Sequence, residues 1–203
     1  MFFRQIKYFS DNFSYVIADE EVRESVVVDP SFNFDTIKKV LKENNLKPTF
    51  VINTHYHSDH TADNNRFKTI YTTKIVAHKI SPIEKDIGVE DNDTIKVGKD
   101  SIKVIHTPGH TPDSICLLCN TQLLTGDTLF VGECGRTDLP GGSSKDMYFS
   151  LFNKLLKLDD NIEVYPGHDY GRSPSSTIGN ERITNYVLKK RSLEEFIEFM
   201  GQP

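Results

Sequence analysis

The stretch Thr54–Thr61 constrains the fold more than any other part of the chain, because it places several metal-binding side chains directly after an apolar run. The four side chains, within six residues, are His55, His57, Asp59 and His60. Neutral imidazole binds metals through either ring nitrogen, and a loop of this composition can serve one ion or two neighbouring ions. The preceding run Phe50-Val51-Ile52 is typical of a strand that is buried on both faces. We therefore expect these side chains at the carboxyl end of an interior strand.

Three further candidate ligands follow predicted strands in the same way, namely His110, Asp127 and His168. His110 lies in a turn rich in proline and glycine, which restricts the backbone and orients the imidazole. A glycine directly precedes Asp127 and another precedes His168, and glycine lets the backbone lie close to a site. Loops that follow strands gather at one rim of a sheet, so these groups should meet. We interpret the other two histidines, His78 and His106, as structural.

Strands dominate both halves of the chain, and helices follow each group of strands. The patterns predict strands at 13–18, 25–29, 50–53, 74–78, 101–106, 115–119, 122–125 and 162–165. They predict helices from Asp35, at 61–68, 147–158 and 181–190, and after the capping box that begins at Ser192. This order indicates an α+β fold in which two sheets pack face to face with helices outside, a four-layer αββα sandwich. No linker interrupts the pattern, so we expect one domain over residues 1–203.

Composition excludes several classes of function. The chain has 203 residues and a net charge of -5, so it lacks the excess of basic residues that is typical of a nucleic-acid-binding protein. The amino terminus does not resemble a signal peptide, and no apolar run is long enough to span a membrane. Three cysteines do not make a disulfide framework and fit a reducing compartment, so we expect a cytoplasmic protein without a membrane partner.

The cysteines and one arginine have structural explanations that compete with functional ones. Cys116 and Cys119 lie three apart in a predicted strand, where they face opposite sides, so we interpret them as ordinary cysteines. Cys134 is less certain, because its loop is close in sequence to Asp127. Arg136, in the same loop, is either a salt-bridged structural arginine or an anion-binding residue beside the metal.

The motif His-X-His-X-Asp-His at 55–60, with the later histidines and Asp127, resembles the metallo-β-lactamase superfamily over essentially the whole chain. The resemblance implies the αββα sandwich. In the glyoxalase II (hydroxyacylglutathione hydrolase) branch it implies that His55, His57 and His110 bind one zinc or iron ion, that Asp59, His60 and His168 bind a second, and that Asp127 bridges. Such an enzyme hydrolyses thioesters, with Asp59 orienting the metal-bound hydroxide.

A finer resemblance is to the persulfide dioxygenases, the ethylmalonic-encephalopathy-protein-like group. Its basis is Phe3-Arg4-Gln5, Cys134 to Asp138, His168-Asp169-Tyr170, and Leu193 to Phe196 with Met200-Gly201. It implies one iron(II) per chain, held by His55, His110 and Asp127, with positions open for substrate and dioxygen. The other four motif residues would orient this triad or hold water. The implied substrate is glutathione persulfide, oxidised to sulfite, with Arg136 and Tyr170 near it.

The leading hypothesis is therefore a mononuclear iron persulfide dioxygenase, and the alternative is a dinuclear zinc or iron thioester hydrolase. Asp59 and Tyr170 are the predicted catalytic residues, and Arg136 and Tyr170 the predicted substrate-binding residues. A non-catalytic binding module would be expected to lose ligands, and every ligand is present. Asp113, Glu133 and Tyr186 depart from the dioxygenase pattern, and the first two of these leave the thiol carrier open. The oligomeric state is also open, and a homodimer could pack through an exposed run at 196–200.

Overall fold

The computed structural model describes residues 1–8, 10–30 and 32–201. Within these ranges the main strands form two six-stranded sheets. One apolar core lies between the sheets, and two more lie beneath the helices on the outer faces. This arrangement is the four-layer αββα sandwich that the sequence predicts.

The first sheet keeps its strands in chain order. β1 to β6 span Phe2–Lys7, Phe13–Ala18, Glu24–Val28, Lys47–Ile52, Lys74–His78 and Ile87–Val89. In β4, Val51 packs under the outer helices whereas Ile52 packs between the sheets, which explains why the run is apolar throughout. β3 and β4 are parallel neighbours. The residues after their carboxyl ends, Asp29 and His55, therefore reach the same edge.

The second sheet carries the remaining candidate ligands. β7 to β10 span Thr94–Val97, Asp100–His106, Ile115–Cys119 and Gln122–Gly126, and a short ribbon of β11 (Leu129–Phe130) and β12 (Glu133–Cys134) follows. β13 (Glu163–Pro166) and β14 (Ser176–Thr177) complete the sheet. β10 and β13 are parallel neighbours. Asp127 and His168 follow these two strands, so both reach one rim.

Six α-helices lie in the described ranges: α1 at Phe34–Glu43, α2 at Ser58–Thr61, α3 at Asn64–Tyr71, α4 at Ser144–Tyr148, α5 at Ile178–Thr184 and α6 at Leu193–Met200. α4 continues into π-helical and 3-10 turns, Phe149–Lys154 and Leu155–Lys157. α1 anchors itself by burying Phe34, Ile37 and Leu41. Each such side chain contributes about 1.5–3 kcal/mol when fully buried.

The structure corrects several element boundaries. β1, β6 and β7, each the outermost strand of a sheet, were not predicted, and neither were the two-residue strands β11, β12 and β14. The helix predicted at 181–190 is wrong in its second half, since Asn185 is extended (ψ 117°) and caps a separate 3-10 turn by accepting a hydrogen bond from Val187 N. The run at 196–200 is only partly exposed, because Phe196 is fully buried whereas Ile197 is 41% exposed.

Candidate metal centre

The structure brings all of the predicted ligands to one rim of the sandwich. The donor atoms form three overlapping groups, each within 4.8 Å: His55, His57 and His110; His55, His60 and Asp127; and Asp59, His60 and His168. They come from loops after four strands, β4, β8, β10 and β13. Only the first of these loops supplies more than one donor. The remaining donors meet because of strand order.

The first cluster consists of three imidazole nitrogens. His57 Nδ1 lies 3.0 Å from His55 Nε2 and 3.0 Å from His110 Nε2. Ligand atoms about 2.1 Å from a tetrahedral metal ion lie about 3.4 Å from one another, so this spacing is close to that of ligands sharing one ion. His55 and His110 are almost fully buried, whereas His57 is partly open to solvent.

The second cluster consists of His60, His168 and Asp59. His60 Nε2 lies 3.2 Å from His168 Nε2, and Asp59 Oδ2 lies 3.6 Å and 3.4 Å from these two nitrogens. Asp127 lies between the clusters. Its Oδ1 is 3.4 Å from His60 Nε2, and its Oδ2 is 3.5 Å from His110 Nε2. One carboxylate therefore faces both groups of nitrogens, as a bridging ligand would.

The donor set fits a transition metal. Asp127 Oδ1 is buried and accepts no hydrogen bond from the residues that the structure describes. A buried carboxylate oxygen that accepts no hydrogen bond is costly unless a cation satisfies it. Imidazole with carboxylate suits iron, zinc and manganese, so these donors do not select one metal.

The carboxylates make this rim attractive to positive charge. Burial lowers the pKa of His60, but the carboxylates of Asp127 and Asp29 outweigh burial and raise that pKa to about 9. Burial also lowers the pKa of His168, whereas hydrogen bonds with Asp127 and Asp59 raise it to about 10. Burial alone would raise the pKa of Asp127, but the imidazoles of His60 and His168 hold it far below its usual range. A divalent cation would satisfy the same carboxylates while the imidazoles stay neutral.

Residues outside the motif hold the ligands in place. Asp29 is 1% exposed, and its Oδ2 accepts hydrogen bonds from Thr54 Oγ1 at 2.6 Å and from His60 Nδ1 at 3.0 Å. His110 Nδ1 donates to the carbonyl oxygen of Arg136 at 2.8 Å. Such bonds leave the other ring nitrogen, Nε2, free to bind metal. Asp29 was not predicted as a site residue, although its position directly after β3 was a usable signal.

Two glycines allow the loops to approach this closely. Gly126 has a φ of +48°, and a Cβ atom there would lie 2.6 Å from Thr54 Oγ1. This confirms the close approach expected beside Asp127. Gly135 was not singled out, yet a Cβ atom on it would lie 1.8 Å from the carbonyl oxygen of Asp127. The β11–β12 ribbon can therefore close over the metal ligands only with glycine at position 135.

A cavity of about 540 Å³ opens onto the ligands, and its wall includes the predicted substrate residues Arg136 and Tyr170. The Tyr170 ring stacks on His168, with centroids 4.9 Å apart. Burial raises the pKa of Tyr170 to about 12, so its hydroxyl group stays protonated and can donate a hydrogen bond. Arg136 forms a bidentate ion pair with Asp138, both distances being 2.6 Å. Arg136 is thus salt-bridged and also lines the cavity.

The cysteines behave as ordinary buried residues. Cys116 packs beneath the outer helices of the second sheet, whereas Cys119 packs between the sheets, so they face opposite sides as predicted. Cys134 lines the cavity of about 540 Å³ beside the donor groups, the metal cavity, but burial raises the pKa of its thiol to about 12 and keeps the thiol protonated. His78 and His106 stack on each other, with centroids 3.9 Å apart, and belong to none of the three donor groups.

A sequence profile described as Metallo-beta-lactamase superfamily matches residues 8–83 and 77–168, which include every donor of the centre. This chain belongs to the metallo-β-lactamase superfamily. The predicted resemblance, and the fold that it implied, are therefore confirmed. Among the helices of the described ranges, none is both long and apolar enough to cross a lipid bilayer.

Relatives within the superfamily include both a dioxygenase and a hydrolase. The human mitochondrial persulfide dioxygenase ETHE1 is 33% identical over 196 residues, covering 95% of this chain and 77% of that protein. A hydroxyacylglutathione hydrolase from Dictyostelium discoideum is 35% identical over 204 residues, covering 95% and 72%. The crystal structure of ETHE1 from Myxococcus xanthus superposes with a TM-score of 0.95 at 34% identity, covering 100% of this chain and 92% of that one.

Proposed function

We propose that this protein is a mononuclear iron(II) persulfide dioxygenase that oxidises a glutathione-type persulfide to sulfite. The observation that carries the proposal is the match to ETHE1 from Myxococcus xanthus, which extends over the whole of this chain and 92% of that one. The hydrolase from Dictyostelium discoideum is slightly more identical in sequence, so sequence identity alone does not separate the two activities. The superposition on ETHE1 from Myxococcus xanthus, with a TM-score of 0.95 at 34% identity, supports the dioxygenase.

The proposed iron ligands are His55, His110 and Asp127. His110 Nε2 and His55 Nε2 lie 3.5 Å and 4.0 Å from Asp127 Oδ2, and all three side chains are buried. Two histidines and one carboxylate are the ligand set typical of non-haem iron oxygenases, because they leave positions open for two further ligands. His57 lines the cavity that opens onto these three residues.

The reaction consumes one persulfide, one dioxygen and one water, and yields the thiol, sulfite and two protons. The terminal sulfur loses four electrons, which dioxygen accepts, while the sulfur–sulfur bond breaks. Iron(II), when bound, supplies this redox chemistry. The role of the chain is to orient the substrate. Tyr170, whose hydroxyl group is protonated, is the proposed hydrogen-bond donor to the substrate. Arg136 is the proposed contact for a negatively charged group of the substrate.

One observation favours a second candidate, a dinuclear thioester hydrolase. Asp59, His60 and His168 form a complete donor group of their own, and Asp127 faces both clusters. Two ions bridged in this way would lower the pKa of a shared water and polarise a thioester carbonyl. Asp59 would then be both a ligand and the residue that orients the attacking hydroxide.

Metal content, oxygen uptake and thioester cleavage separate the two candidates. We expect about one iron per chain and oxygen uptake with glutathione persulfide. Asp127→Asn should lose both iron and activity, whereas Asp59→Asn should retain the iron and lose about 10–100-fold in activity, as outer ligand-orienting residues do. Two metals per chain, no oxygen uptake and cleavage of S-lactoylglutathione would reject the dioxygenase and support the hydrolase.

A further inference from the structure

Two cavities share a wall at the metal centre. The metal cavity is lined in part by Glu133 and Tyr170. A neighbouring cavity of about 490 Å³ is lined by the same two residues together with Arg172 and Ser173. Because the two cavities share Glu133 and Tyr170, the second cavity lies directly beside the metal cavity. A third cavity, of about 580 Å³, also borders the metal cavity, but Arg136, the one basic residue among the described residues that line it, is paired with Asp138.

The side chains of Glu133 and Arg172 are not paired with charges of the protein. The Glu133 carboxylate accepts a hydrogen bond from the hydroxyl group of Tyr186, which is neutral, and forms no ion pair with any residue that the structure describes. Arg172 is exposed and forms neither an ion pair nor a hydrogen bond with residues in the described ranges. Arg136, by contrast, already forms an ion pair with Asp138. The second cavity thus presents one free negative and one free positive group.

The segment that carries Glu133 is held firmly. Asn185 Nδ2 donates to the backbone carbonyl oxygen of Glu133 at 3.1 Å, and Gly132 N donates to Glu181 at 2.7 Å. Glu181 is fully buried and also accepts a hydrogen bond from Asn185, so its carboxylate is occupied by the fold rather than turned to a ligand. A charged group on a fixed backbone binds a ligand with less loss of entropy than one on a mobile loop.

We propose that Glu133 and Arg172 form a subsite for an amino-acid group on the thiol carrier, with Glu133 binding its ammonium and Arg172 its carboxylate. The proposal rests on the proposed function only in requiring a thiol-derived substrate, and a thioester of the same thiol would use the same subsite. It selects carriers that bear a zwitterionic amino-acid group over carriers that bear carboxylates or phosphates alone. Interactions with the carrier are made equally before and during the reaction, so they should act on KM rather than on kcat.

The test compares glutathione persulfide with two analogues, one N-acetylated at the amino group and one amidated at the neighbouring carboxylate. For the unaltered protein, we expect kcat/KM to fall about tenfold with either analogue, which corresponds to about 1.4 kcal/mol. Glu133→Gln should raise KM for glutathione persulfide about tenfold and remove the discrimination against the N-acetylated analogue. Arg172→Gln should do the same for the amidated analogue. Glu43→Gln, on α1 of the other sheet, is the matched control.

The result that overturns the proposal is a Glu133→Gln or Arg172→Gln protein that keeps the full discrimination. Failure of the proposed function is recognised separately. If no persulfide supports oxygen uptake but S-lactoylglutathione is cleaved, the same ratios are measured with the S-lactoyl thioesters of the three thiols. If neither reaction occurs, calorimetry with the metal-loaded protein compares glutathione with its N-acetyl derivative. Equal affinities would then reject the subsite.

Discussion

Replacing Asp29 with asparagine should disturb the metal centre without touching any ligand. Asp29 Oδ1 accepts a hydrogen bond from Thr54 N at 2.8 Å, and Oδ2 accepts from Thr54 Oγ1 and from His60 Nδ1. Asparagine tolerates the positive φ of 47° at this position, so the backbone can stay as it is. An amide, however, has one accepting oxygen and one donating nitrogen in place of two acceptors.

The orientation of the new amide decides the outcome. If the new amide nitrogen faced Thr54 N, two hydrogen-bond donors would face each other. The amide oxygen should therefore lie beside Thr54 N. The nitrogen then faces His60 Nδ1, which must give up its proton to accept. His60 then keeps its proton on Nε2, the atom that lies 3.2 Å from His168 Nε2 in the second donor group. A metal ion must displace this proton before it can bind that nitrogen.

Both stability and metal affinity should fall as a result. Two hydrogen bonds to a buried carboxylate are weakened, so we expect Asp29→Asn to lower the free energy of unfolding by about 2–4 kcal/mol. Zinc affinity at the group of Asp59, His60 and His168 should fall about 10–100-fold. Urea unfolding, zinc titration of the metal-free protein and nitrogen NMR of the His60 ring measure the three effects.

A matched control separates stability from ligand orientation. Asp19 is 4% exposed and accepts hydrogen bonds from the backbone N–H groups of Glu21, Val22 and Lys99. It follows β2 at the rim opposite the metal centre, because β2 runs antiparallel to β3. Asp19→Asn should lose stability but bind zinc normally. If Asp29→Asn also binds zinc with unchanged affinity and keeps the His60 proton on Nδ1, the reasoning is refuted.

Three further predictions follow from local geometry. Gly135→Ala should lose metal and about 4 kcal/mol of stability, because the new Cβ would lie 1.8 Å from the carbonyl oxygen of Asp127; wild-type metal content would contradict this. Burial, reinforced by the stacked His106, lowers the pKa of His78 from 6.5 to about 4. Between pH 4 and 6.5 the unfolded chain therefore binds a proton at His78 more readily than the folded protein does, so the free energy of unfolding should decrease as pH falls through this range. The decrease should be less steep in His78→Gln, and urea unfolding at several pH values can check this. Ser192→Ala removes the acceptor for Glu195 N at the start of α6 and should lower the thermal midpoint, at a cost of about 1 kcal/mol.

The fold was predictable because its signals are local. The run at Phe50-Val51-Ile52 is apolar on both faces, and the structure shows both faces buried. The capping box at Ser192 depends on residues three apart, and it is present. One error falls where a side-chain hydrogen bond to the backbone competes with the local preference for helix. Residues 181–190 contain good helix formers, but the hydrogen bond that the Asn185 side chain makes with Val187 N ends the helix there.

The candidate donors were predictable for a related reason. Imidazole and carboxylate groups after a buried strand have few structural uses, so residue type and position predict His55, His57 and Asp59 as candidate ligands before any contact is known. The structure places all of the predicted donors together. Assigning them to one ion or to two depends on the metal itself, and the donor distances accommodate both.

The sequence by itself determined the layers of the sandwich, the donor types and the turns that present them, because these depend on side chains within a few positions of each other. Only the tertiary structure decided that Asp29 supports His60 and that Glu133 faces the same cavity as Arg172. These contacts join residues that lie far apart in the chain. They form only when strand pairing brings distant loops to the same rim, so no local pattern of residues records them.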